Sequence, residues 1–267
     1  MLSNPSVTGV ILLVPQHLSF FCQSLTPNLK SMTMPFDEIL VIASGLSRRQ
    51  IRRVEAVVNS ELCHRNLRVL RAPLGSVGAN RNRGLDAAAS DLVTFIDSDD
   101  LYSPQYCEFL KIAYARSPYQ ILLHDYTSFG QIENDEPLLE KLNLEARYEP
   151  YTNEDFLIKP IEEWLHNSKS GGSTNLQFRN EETKAKFSQG HMTVWRTLPL
   201  RFHIDPLLRN EDGLFLQQCL SRGYRIQVHP LALSAYRLGS TANPLRHRFL
   251  SFVTRLRQVF GVRQKSS

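Results

Sequence analysis

Along roughly the first hundred residues, apolar positions come in short unbroken runs separated by helical spacing. Residues 7–15, VTGVILLVP, form the first run, stopped by Pro15. EILVIAS (38–44), LRVLRAP (67–73) and DLVTFID (91–97) are the next three. Each has the length and composition of a strand buried on both faces. Between them, Ile51, Val54, Val57, Val58 and Leu62 recur at helical spacing behind Ser47, a suitable N-cap. SLTPNLKSMT is polar enough for helix or loop, and the alanine-rich GANRNRGLDAAAS predicts a helix from about Ala79 to Ala89.

The alternation of strand and helix, with continuous rather than alternating apolar strands, predicts an α/β fold whose mostly parallel central sheet carries helices on both faces. Further on, SPQYCEFLKIAYARSP predicts a helix ended by Pro118, and YQILLHDYTSFG a strand. QGHMTVWRTLPL reads as loop then strand. NEDGLFLQQCLSRGYR reads as a helix capped near Asn210 and closed at Gly223, and IQVHPLALSAYR as a strand pair or a strand bent at Pro230. Residues 131–188 are polar and irregular; the segment 131–190, with SGGSTN and with Trp195 just beyond, is expected to shape a binding site.

Charge gathers where the fourth strand stops. TFIDSDDLYSP places Asp97, Asp99 and Asp100 within four positions. In open sheets of this type ligands sit beyond the carboxyl ends of the strands. Residues i and i+2 of an extended segment face one side, so Asp97 and Asp99 can share a hard divalent cation such as Mg²⁺ or Mn²⁺. The plainer alternative is that Asp99 or Asp100 caps the helix starting near Ser103 and Pro104. Arg81 and Asn82, in NRNRG, suit a phosphate and a ribose or neighbouring loop, or else a solvated helix face. Glu211 and Asp212 open a helix, where the dipole favours carboxylates; a carboxylate there also suits a general base.

Total composition narrows little. The 267 residues are 42% hydrophobic and 21% charged, with a net charge of +5, enough length for a core without staples. The mild basicity favours anionic partners without specifying one. Cys22, Cys63, Cys107 and Cys219 form no CxxC pair and read as neutral thiols of a reducing compartment. GVILLV is too short to cross a bilayer, and the opening residues lack the features of a signal peptide. The expected location is cytoplasmic. Residues 244–267 hold six Arg and Lys, no acid, and apolar residues at 3- and 4-residue spacing. This basic amphipathic helix suits either the inner membrane surface or the protein's own sheet.

Taken in order, ILLVP, EILVIAS, NRNRG, FIDSDD, NEDGLF and YRLGS resemble the motifs of family 2 inverting glycosyltransferases of GT-A fold. The resemblance covers residues 7–243. It implies a nucleotide-sugar-binding half (1–120), an acceptor and catalytic half (121–243), and the 244–267 tail as an appendage. It implies that Asp97 meets the nucleotide, and that Asp97 and Asp99 hold the metal that bridges the diphosphate. Asp212 would be the base, with Glu211 positioning acceptor or sugar. Pro15, Arg81, Asn82, Ser98 and Arg237 would line the donor site; Tyr236 and Ser240 match the late motif. It further implies Mn²⁺ or Mg²⁺, a UDP-sugar donor, a glycan or lipid-linked acceptor, and no nucleic acid. Departures stand out. The second strand ends in Ala43, Ser44 and Gly45 where an acid usually recognises the base, and the processive Q-x-x-R-W motif is absent. His229 is a weak match to a late metal-binding histidine and fits a core position better. A nucleotidyltransferase lacks support because VPQHLSFF carries no glycine-rich phosphate loop. An inactive, sugar-nucleotide-binding family member is the remaining alternative.

Overall fold

The computed structural model describes residues 4–62, 66–116, 119–129, 156–157, 177–178, 191–206 and 210–237. Its strands are β1 (Val7–Leu13), β2 (Glu38–Ser44), β3 (Asn66–Ala72), β4 (Leu92–Asp97), β5 (Leu101–Tyr102), β6 (Ile121–Phe129), β7 (Phe156–Leu157), β8 (Gln177–Phe178), β9 (Thr193–Trp195) and β10 (Ile226–Arg237). Its helices are α1 (Leu18–Phe20), α2 (Thr26–Lys30), α3 (Arg48–Glu61), α4 (Val77–Ala87), α5 (Tyr106–Arg116) and α6 (Glu211–Ser221).

Eight strands form one sheet in the order β3-β2-β1-β4-β9-β6-β10-β5, while β7 and β8 pair with each other. β3, β2, β1 and β4 run parallel, as do β6 and β10. β9 is antiparallel to both its neighbours, β4 and β6, and β5 is antiparallel to β10. Successive residues of β1 and β2 feed two different cores. Ile11, Leu13, Ile39 and Val41 join Ile51, Val54 and Val58 of α3 and Tyr106 and Leu110 of α5. Val10, Leu40 and Ile42 join Leu85 of α4 and Leu214, Phe215 and Leu220 of α6. Both faces of the sheet are therefore covered, which is what unbroken apolar strands require.

Local chemistry explains the element ends. Ser47 and Gln50 form a reciprocal capping box at α3. Ser76 caps α4 by accepting from the Ala79 amide, so that helix starts two residues before the expected Ala79. After β1 the chain makes a 3₁₀ turn (Pro15–His17), α1, a π turn (Phe21–Leu25) and α2. Pro27 cannot donate into this helix, and the Thr26 hydroxyl bonds back to the Phe21 carbonyl, which accounts for the widened turn. Asn28 exchanges two hydrogen bonds with the backbone of Tyr102, pinning α2 to β5. In β10 the register slips between His229 and Ala232. That stretch includes Pro230, which has no N–H for the ladder. Gly84 lets α4 lie directly on β1, because a Cβ there would overlap Val10.

Candidate active site

The register Leu12↔Asp97 brings the tips of β1 and β4 together, and the loop that leaves β4 is held from four sides. The Ser98 hydroxyl donates to the Leu12 carbonyl at 2.8 Å. The Asp97 amide donates to the Tyr102 hydroxyl at 2.8 Å. One carboxylate oxygen of Asp100 accepts the Arg237 amide at 2.8 Å, and the other lies 2.9 Å from His191 Nε2. Arg237 Nε donates to the Asp99 carbonyl at 2.9 Å, with its guanidinium 4.6 Å above the Phe20 ring. Neither aspartate caps α5; the Ser103 hydroxyl accepts the Gln105 amide ahead of that helix.

His191 sits just before β9, whose antiparallel course carries it back along β4 to the carboxylates. It is fully buried; Nδ1 bonds the Ser234 hydroxyl at 2.8 Å and Nε2 lies 3.4 Å from Asp97. The Nε2 contact with Asp100 is a close ion pair without hydrogen-bond alignment. Burial would lower the His191 pKa, but contact with Asp100 and Asp97 holds it up at about 9. Burial likewise opposes ionisation of Asp97, yet His191, Arg81 and His17 keep it down at about 2. Burial pushes Asp100 up to about 6, with Asp97 and Asp99 adding repulsion. Asp97 is the accessible member, 31% exposed against 6% for Asp99 and none for Asp100. Asp97, Asp100 and His191 each offer one ligand atom within 4.8 Å of the others. Asp97, ionised and accessible, suits a divalent cation, with Asp100 beside it; His191 becomes a ligand only on giving up its proton.

Asp99 turns one oxygen toward His17 Nδ1, 3.4 Å away. Pro15 opens the short turn that carries His17, beside the same loop. Of the basic motif, Arg81 is buried and pairs with Glu211 at 3.1 Å, stacked near Phe95 and Phe202. Asn82 spends both amide groups on the Phe202 backbone. Arg81 thus fastens the start of α6, where Asp212 lies half-buried and accepts the Gly213 amide, while Asn82 holds the segment that carries Phe202. Arg237 is likewise directed to the β4 loop rather than to open solvent.

His17, His191 and Ser234 belong to this assembly although no motif marks them. Their only sequence signal is position: His17 follows the end of a strand, and His191 precedes one. His229 pairs in register with His124, packs edge-on against Phe109, and is buried enough to fall to about 4, so it is a core histidine outside the cluster. Trp195 pairs with Leu92, at the opposite end of β4 from Asp97, and donates to the Tyr119 carbonyl; it is not beside the cluster. Cys22, Cys107 and Cys219 are in no disulfide, and burial raises the thiols of Cys22 and Cys219. Ser240, Cys63, most of 131–190 and the 244–267 tail lie outside the described residues.

A parallel sheet with an acid-tipped fourth strand and an antiparallel intruder is the GT-A architecture of nucleotide-sugar transferases. Three crystal structures of S. aureus TarS 1–349 share it: one without a named ligand (TM-score 0.54, 17% identity), one with UDP-GlcNAc (0.54, 14%) and one with UDP (0.55, 16%). Each covers 87% of this chain. The glycosyl transferase family 2 model matches residues 23–194, and the chain belongs to that family. EpsH of Bacillus subtilis (strain 168), which carries a glycosyltransferase name, is 26% identical over 107 residues, 40% of this chain. The chain spans 30% of the length of EpsH and about 60% of the TarS fragment. Among the described residues no helix is long and apolar enough to cross a membrane.

Proposed function

We propose that the protein transfers one sugar from a nucleotide-diphosphate sugar to an acceptor hydroxyl, with inversion at the anomeric carbon. The observation that carries this reading is the braced β4 loop, with ionised Asp97 accessible at its tip and Asp99 beside it. UDP in two of the TarS structures supports a UDP-sugar donor. Asp97 and Asp99 would hold Mn²⁺ or Mg²⁺, which supplies positive charge at the diphosphate. Asp212 takes the proton of the attacking hydroxyl. Glu211, fixed by Arg81, sets the position of the adjacent Asp212 at the head of α6. Pro15 and Ser98 shape the donor side of the cleft, Ser98 by tying the loop to β1. Asn82 and Arg237 support it from behind. The acceptor is a glycan or lipid-linked hydroxyl, and residues 244–267 contact an anionic bilayer from the cytoplasmic side. The setting is synthesis of a polysaccharide or glycoconjugate.

The test is calorimetry with UDP, GDP and dTDP, each with and without Mn²⁺, followed by donor hydrolysis in wild type and Asp99→Ala. Metal-dependent binding of one nucleotide, and hydrolysis lost in the variant, is the expected result. Unchanged hydrolysis in Asp99→Ala rejects the cation role, and no binding of any nucleotide rejects the transferase reading. Flotation with phosphatidylglycerol liposomes should fall when residues 244–267 are removed; equal flotation discards the membrane contact.

A further inference from the structure

The first two turns of α3 read RRQIRRV, and every exposed position in them, Arg48, Arg49, Arg52 and Arg53, is an arginine. The helix carries no acid before Glu55. Arg53 bonds Cys22. Among the described residues, Arg48, Arg49 and Arg52 pair with no acid. Helix energetics oppose this crowding. The macrodipole already puts positive charge at a helix start, and Arg48 with Arg52, and Arg49 with Arg53, repel across one turn. The Ser47–Gln50 capping box offsets part of that cost. Charge kept against the interest of the fold, and left facing solvent, suits an anionic partner.

The apolar surroundings set the kind of partner. The large apolar side chains that stand exposed among the described residues are Leu74, at 70%, and Ile204, at 63%. Leu74 lies over Gly45, three residues before Arg48; a Cβ on Gly45 would meet it at 3.0 Å. Ile204 is tied to the start of α4, its carbonyl accepting the hydroxyl of Ser76, two residues after Leu74, at 3.0 Å. Because α3 and α4 cover opposite faces of the sheet, Leu74 bridges the two across its edge. A soluble polyanion buries neither leucine nor isoleucine. A bilayer takes basic groups at its headgroups and apolar side chains just beneath them. β2 and β4 both run parallel to β1, so the start of α3 shares the sheet edge with Asp97. We infer that Arg48, Arg49, Arg52, Leu74 and Ile204 form a docking surface for a bilayer rich in anionic headgroups, which turns the donor edge of the sheet toward the membrane. The purpose of that orientation rests on the lipid-linked acceptor proposed above; the surface itself does not include residues 244–267.

The experiment is titration of the full chain with vesicles of phosphatidylglycerol and phosphatidylcholine in equal parts, and with phosphatidylcholine alone. Residues 244–267 are present throughout, so any contact they make is common to all the chains compared. Wild type should bind the anionic vesicles and be released by high salt. Arg48→Gln/Arg49→Gln/Arg52→Gln should bind about 10²-fold more weakly, at about fivefold per arginine. Leu74→Ser/Ile204→Ser should bind about tenfold or more weakly. Undiminished binding in either variant overturns the surface. Wild type that binds soluble polyphosphate as tightly as anionic vesicles assigns the arginines to a soluble polyanion and overturns the bilayer. The arginine variant should hold or raise the thermal midpoint, because like charges leave the positive end of α3; a lower midpoint assigns the arginines to the fold and counts against docking. UDP calorimetry on wild type separates the two readings. Vesicle binding as expected with no nucleotide binding removes the transferase and leaves the surface; nucleotide binding without vesicle binding does the reverse.

Discussion

Arg81 and Glu211 stand 130 positions apart in the chain and meet inside it, Nη1 to Oε1 at 3.1 Å, both shielded from solvent. The pair joins α4 to the first residue of α6. Removing one partner strands the other charge in a poorly solvated place, which typically costs about 3–5 kcal/mol. Arg81→Met should lower stability by that order in urea unfolding. Adding Glu211→Gln should recover most of it, while sugar transfer stays lost because the head of α6 is no longer fixed. A double variant as unstable as the single one would show that the pair does not set stability here.

Asp212 follows Glu211 and is the proposed base. Asp212→Asn is close to isosteric and should leave nucleotide affinity unchanged by calorimetry. Turnover should fall by about 10²–10⁴-fold, the usual worth of a general base. Normal transfer in this variant would place the base elsewhere.

His191 makes the stability of the cation-free protein depend on alkaline pH. Its folded pKa of about 9 lies above the ordinary 6.5. The stabilisation it gives is complete below pH 6.5 and disappears as pH rises through 9. Asp97, depressed to about 2 from 3.8, contributes stability above pH 3.8 that is lost only near pH 2. Asp100, raised to about 6, acts in the other direction and reduces stability as pH climbs from 3.8 to 6. Thermal midpoints in EDTA should therefore decline between pH 7 and pH 10. His191→Gln should flatten that decline; an identical slope would remove His191 as its source.

Gly84 marks the closest approach of α4 to β1. Gly84→Ala would drive a methyl into Val10 and should cost about 1–3 kcal/mol despite the better helix propensity of alanine. Val10→Ala in the same chain should relieve part of that loss. The readout is the urea midpoint of the two single variants and the double.

The donor half of the fold was legible because its strands announce themselves locally. β2 spans residues 38–44 as expected, and the Ser47 cap and Asp97 strand end also agree. Continuous apolar runs and cap chemistry act over a few residues, so they survive in the linear pattern. What escaped depends on distant partners. β5 is two residues long, too short for a period to show. β9 lies in the strand expected within QGHMTVWRTLPL, but its antiparallel place between β4 and β6 depends on partners far along the chain. Arg81 and Asn82 read as donor-facing because a basic helix start near an acidic tip suggests phosphate. Their actual contacts, Glu211 and the Phe202 backbone, lie more than a hundred residues away. Asp100 was grouped with its acidic neighbours, but its bonds to Arg237 and His191 make it a tie between chain segments.

The insertion of β9 between β4 and β6 binds the fates of the two halves of the molecule. A cut within residues 131–190 would leave β4, β5 and β6 in one fragment without their partners, and put those partners, β9 and β10, in the other. Neither piece owns a complete sheet. The protein should behave as an obligate complementation pair, insoluble when its fragments are made apart and recovering nucleotide binding when they are produced together.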